Sequence, residues 1–112
     1  MRYIISGRNI TVTEGLKEAI YDKLGKLEKY FTPDTEVIVT LSVEKQRQKI
    51  EVTVPVKGHT IRAEQSSDNM YVSIDLVEEI IVRQLRKYKT RIANQQNSRK
   101  NFQPAYLEME TD

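Results

Sequence analysis

The sequence predicts an α+β protein of order β-α-β-β-β-α: a four-stranded sheet with two helices packed on one of its faces. Three observations predict it. Residues 16–31 and 70–92 carry apolar side chains at helical spacing. Between them, three segments alternate apolar and polar residues with period two, and a shorter alternating segment opens the chain. Two striped helices and a sheet wet on one side can bury their apolar faces against each other, which makes a two-layer sandwich.

Tyr3, Ile5 and Gly7 on one face, with Ile4 and Ser6 on the other, set a first strand ending near Gly7. Arg8 to Val12 form an extended link. Thr13 is a fitting N-cap, and Glu14 then sits at the positive end of a helix dipole. Leu16, Ile20, Leu24, Leu27 and Phe31 make the buried stripe of the first helix, with Lys26 and Lys29 opposite and Lys23 on the flank. Gly25 weakens this helix by roughly 1 kcal/mol relative to alanine, and Pro33 ends it.

Val37, Val39, Leu41 and Val43 alternate, as do Ile50, Val52, Val54 and Val56, and Ile61 with Ala63. Polar residues such as Thr40, Ser42, Glu51, Thr53, Arg62 and Glu64 take the other face, which suits an antiparallel meander. Lys45 to Lys49 are expected to form the first hairpin tip and Lys57-Gly58 the second, tighter turn. Pro55 lacks an N–H, so its side of the strand should be an edge or a bulge. Met70, Ile74, Val77, Ile81, Leu85, Tyr88 and Ile92 then define a long amphipathic helix capped by Asp68 or Asn69. The pattern stops after Asn94. One domain is therefore expected over residues 1–95, with a tail or the start of a linker over 96–112.

The charge distribution carries the functional signal. Residues 83–100 hold seven Lys/Arg and no acid, in a chain of net charge +2. Residues 1–82 balance to −2, and residues 101–112 to −3. Such a one-sided block points to a polyanion, most simply RNA or DNA. A solvated helix end, whose cations complement the helix dipole, is the competing reading. Arg83, Arg86, Lys87 and Thr90 share the side away from the apolar stripe, and Lys89 and Arg91 widen it. Lys23, Lys26 and Lys29 join this basic surface if both helices pack on one sheet face.

Other residues exclude function classes. There is no cysteine, so no disulfide and no thiolate chemistry. His59 is the single histidine, too few for a nucleophile–His–acid site or the usual zinc sites. Four scattered glycines make no phosphate-cradling loop. An enzyme is not expected, nor a cofactor, a small-molecule substrate or a membrane partner. Tyr71 is read as core with a hydrogen-bonded hydroxyl, Asp75 as structural, and His59 as exposed. Lys45, Arg47 and Lys49 are read as a solvated turn in preference to a second RNA contact.

Three segments, GRNITVTEGLKEAIYDKLGKLEKYF, VTLSVEKQRQKIEVTVPVKGHTIRAEQSSDNMYVSID and VRQLRKYKTRI, resemble the ribosome hibernation-promoting factor and ribosome-associated inhibitor family, once labelled sigma-54 modulation proteins. The most specific pieces are NMYVSID at 69–75 and RQLRKYK at 83–89, in register after the expected strands. The resemblance covers residues 1 to about 95. It departs at Asn69, where the family usually has Asp. The resemblance implies the same β-α-β-β-β-α order, whose last elements are similar to a double-stranded-RNA-binding domain. It implies a bacterial, cytoplasmic protein that is not an enzyme and that binds the small ribosomal subunit between head and body. There it blocks mRNA and tRNA in stationary phase or stress. The bases implied to contact ribosomal RNA are Lys23, Lys26, Lys29, Arg83, Arg86, Lys87, Lys89 and Arg91. Long members add a C-terminal domain that pairs two ribosomes. None follows here, LEMETD resembles the acidic opening of the linker to it, and ribosome pairing is expected to need that domain. A general duplex-RNA-binding module and a protein-interaction adaptor, such as a sigma-factor modulator, are the alternatives.

Overall fold

The computed structural model describes residues 1–56 and 58–98, with side chains described as far as residue 87. The elements are β1 (Arg2–Arg8), α1 (Glu14–Leu24), a 3₁₀ segment (Gly25–Tyr30), β2 (Glu36–Glu44), β3 (Arg47–Val56), β4 (His59–Ser67) and α2 (Met70–Ser98). The sheet order is β1-β2-β3-β4. The last three strands form the expected antiparallel meander, and β1 lies parallel to β2 at the edge. β1, β2 and β4 therefore run one way. Each helix that follows β1 or β4 must run back, so α1 and α2 are parallel to each other and end at the same end of the sheet.

The core lies between the helices and one face of the sheet. Leu16, Ile20, Leu24, Leu27 and Phe31 are buried, as are Met70, Ile74, Val77, Ile81 and Leu85. They pack on Val37, Val39, Leu41, Ile50, Val52, Val54, Ile61 and Ala63. The other sheet face is open, and Ile4 and Ile38, paired in the ladder, are exposed on it.

Local chemistry sets the ends of the elements. Thr13 Oγ1 accepts from the Leu16 N–H at 3.2 Å, which caps α1. Asn69, not Asp68, caps α2: its Oδ1 accepts from the Tyr71 N–H at 2.9 Å and its carbonyl from the Ser73 N–H at 3.0 Å. Ser73 is buried and donates from Oγ to the Gln48 carbonyl at 2.7 Å, fixing the start of α2 to the start of β3. Gln84 Nε2 donates to the Arg62 carbonyl at 2.9 Å and holds the middle of α2 to β4.

Three expectations about boundaries are corrected. The first α-helix stops at Leu24, and the next six residues wind as a 3₁₀ segment instead of continuing to Phe31. Gly25 is a poor helix former, and the tighter three-residue turn puts Leu27 and Tyr30 in one buried row. The first hairpin tip is the two residues Lys45-Gln46, because the ladder runs on to Glu44↔Arg47. α2 continues to Ser98, past the end of the apolar pattern at Asn94. Gln95 and Gln96 favour helix and no proline interrupts it. Pro55 pairs with Thr60 and lies beyond Thr53, the last β3 residue paired with β2, so no β2 ladder bond is lost. Residues 99–112, where Arg99, Lys100 and the acidic end fall, lie outside the described residues.

Candidate nucleic-acid interface

Arg83, Arg86 and Lys87 are exposed on α2. Spacings of three and four residues place them on one face, opposite buried Ile81 and Leu85. A shallow groove lined by Glu78, Glu79, Val82, Arg83 and Arg86 runs along this face, so its N-terminal part is acidic and its C-terminal part basic. The side chains of Lys89 and Arg91, and of Tyr88 and Ile92, lie outside the described residues.

Lys26 and Lys29 are both exposed on the 3₁₀ segment. With three residues per turn, positions i and i+3 eclipse, so the two lysines stand in one outward row while Leu27 and Tyr30 form the buried one. The Lys29 ammonium sits 5.4 Å from the Tyr30 ring centroid. The parallel helices carry this row to the same end of the sheet as Arg83, Arg86 and Lys87. That convergence follows from topology and needs no contact between the two sets.

Lys23 sits elsewhere. Its Nζ pairs with Asp75 Oδ1 at 2.9 Å and ties α1 to α2. The hydrogen bond and charge of Asp75, then Asp22 and Glu78, hold its ammonium above the usual lysine range. Lys23 therefore belongs to the seam between the helices, where acids surround it, and Asp75 has the structural role read from the sequence.

Tyr71 corrects the expectation of a core residue: it is 50% exposed. It lies one position, about 100°, off the buried stripe at Met70. Its hydroxyl rests over the start of α1, 3.0 Å from where a Cβ on Gly15 would stand. Among the hairpin bases, Arg47 Nη2 donates to the Ser66 carbonyl at 3.1 Å and to Ser66 Oγ at 3.0 Å. Lys49 Nζ meets Glu64 at 3.3 Å and Glu51 at 3.7 Å. Lys45 and His59 are exposed. Sequence reasoning missed Arg8. The parallel β1–β2 ladder places it opposite Ser42 on the open face, a register invisible before the strands are paired.

Among the described residues there is no cluster of His, Cys, Asp or Glu fit to hold a metal, and no helix is long and apolar enough to cross a membrane. Lys26 and Lys29 on the 3₁₀ segment and Arg83, Arg86 and Lys87 on α2 are thus exposed cations on the helical side of the sheet.

Comparison with known proteins agrees with the resemblance. The model of the family described as "Sigma 54 modulation protein / S30EA ribosomal protein" matches residues 3–93. A ribosome hibernation promotion factor of Lactococcus lactis is 45% identical over 95 residues, which are 82% of this chain and 51% of the relative. One from Staphylococcus aureus is 40% identical over 102 residues, 88% of this chain and 54% of the relative. The chain thus spans about half the length of these curated relatives. A ribosomal subunit interface protein from Coxiella burnetii superposes with a TM-score of 0.71 at 26% identity, covering 80% of this chain and 99% of that one. The Thermus thermophilus Protein Y N-terminal domain has the same fold, with a TM-score of 0.71 at 24% identity over 79% of this chain and 99% of that one. With its family model matched across both helices and all four strands, the chain belongs to the sigma 54 modulation protein / S30EA ribosomal protein family.

Proposed function

We propose that this chain is the ribosome-binding part of a cytoplasmic hibernation factor. It seats in the decoding channel of the small subunit, contacts ribosomal RNA and blocks mRNA and tRNA by occupancy. The observation that carries this reading is the convergence of Lys26 and Lys29 with Arg83, Arg86 and Lys87 at one end of the sheet. The relatives named ribosome hibernation promotion factors support it. No chemistry is required of the protein. Each neutralised phosphate releases counterions, which supplies affinity that falls with salt. Arginine forks match phosphate oxygens in two-point contacts. A-form RNA suits such a surface, since it is read through backbone and shape.

The test is co-sedimentation with purified ribosomes at two salt concentrations, beside an Arg83→Glu/Arg86→Glu/Lys87→Glu variant. Saturable binding by the wild type and its loss in the variant are expected. Equal, non-saturable binding to plain duplex RNA would replace the reading with a general RNA-binding module. Unchanged binding by the variant would move the contact off α2.

A further inference from the structure

At the sheet end where both helices begin, a groove of about 510 Å³ is lined by Arg8, Asn9, Ser42, Glu44, Lys45, Arg47, Lys49 and Glu51 among others. The ladder sets Arg8, Ser42, Lys49 and Ser66 in one row across all four strands, on the open face. Four cations thus share the groove with two carboxylates. Among the described residues Arg8 and Lys45 make no ion pair. Arg47 spends only Nη2 on Ser66, so the N–H groups of Nη1 and Nε remain for a ligand. The described non-glycine residues with positive φ both border this groove: Asn9 at 60° and Lys45 at 57°. Asparagine adopts that conformation readily, lysine does not, and glycine would take it without strain. A lysine held there keeps a charge at the hairpin tip against the backbone's preference.

We infer that this groove is a second site for RNA phosphates, one that rests on the ribosome-binding reading and extends it. The groove opens on the sheet face away from the helices, and Gln84, beside Arg83, reaches Arg62, four residues or about 13 Å along β4 from the groove's Ser66. A small anion cannot reach both sides of the sheet, whereas a protein wedged in an RNA-walled channel meets phosphates on both.

Two variants test the site. Lys45→Gly relieves the strained φ, so its thermal midpoint should equal or exceed that of the wild type, which excludes misfolding as the cause of weaker binding. Arg8→Gln/Lys45→Gly should still saturate ribosomes, with affinity lowered about tenfold at low salt and a log–log salt slope smaller by about 1 to 2. Unchanged affinity and slope in the double variant, with the wild type still bound through α2, overturn the groove alone. A salt-independent loss also overturns it, since it would mark a protein contact. A wild-type chain that does not bind ribosomes overturns the groove and the proposed function together.

Discussion

Among the described residues, Tyr3 is the one where burial and ionisation conflict most. Its ring meets Tyr21 edge-on, centroids 5.0 Å apart, and its hydroxyl is buried with no hydrogen-bond partner among the described residues. Burial first, then the charges of Glu28 and Tyr21, push its pKa up to about 12. The raised value fixes the sign of the pH dependence. Below pH 10 the phenol is neutral in both states, and the fold keeps its full stability. Between pH 10 and 12 the unfolded chain ionises first, so stability falls as pH rises. Tyr3→Phe removes a desolvated hydroxyl that gains nothing in return. Thermal unfolding at neutral pH should give an unchanged or higher midpoint, and the loss between pH 10 and 12 should be shallower than in the wild type. Gly7 presents the opposite case. A Cβ there would stand 2.5 Å from the Ile10 carbonyl oxygen, where the chain folds back after β1. Gly7→Ala should destabilise by about 1–3 kcal/mol, read as a lower midpoint in denaturant unfolding.

The elements follow from periodicity and caps, and they fail where a short-range pattern has two solutions. The stripes at Leu16 to Leu24 and Met70 to Leu85 were legible, because burial at helical spacing leaves few alternatives. Beyond Gly25, Leu27 fits an α-turn and a 3₁₀ turn alike. Packing chose the second and buried Tyr30, which the α-helical pattern had left out. Asp68 and Asn69 are both good cap residues. The choice fell to Asn69, whose backbone is held by Ser67 Oγ, which accepts from the Asn69 N–H at 3.2 Å and donates to its carbonyl at 2.6 Å. Asn69→Ala should cost about 1 kcal/mol, seen as a lower thermal midpoint. The Lys23–Asp75 ion pair was illegible because its members lie on different helices. Asp75→Asn removes the carboxylate that holds Lys23. If Lys23 reaches RNA, that variant should bind ribosomes more tightly, with a salt slope steeper by about 1. An unchanged slope would confine Lys23 to the seam.

At the scale of the molecule, the parallel placement of β1 decides where the charges go. The alternating sequence shows that four strands exist, but not that β1 sits at the edge beside β2. That pairing makes both helices run the same way, and it sets Arg8 beside the hairpin. Charge totals, by contrast, are read directly from the sequence, and they bear on approach more than on contact. The chain carries +2 overall, while residues 101–112 hold three acids and no base. Removing those twelve residues therefore raises the net charge from +2 to +5. A more positive protein is drawn faster to a ribosome covered in phosphates, because steering acts through the summed field before any contact forms. The field reaches about 10 Å at 0.1 M salt and about 3 Å at 1 M. A chain ending at Lys100 should thus associate with ribosomes faster than the full chain in stopped-flow mixing at low salt. The two rates should converge as salt rises, with dissociation little changed. A difference that persists at high salt, or one found in the dissociation rate, would mean that residues 101–112 act through contact and not through charge.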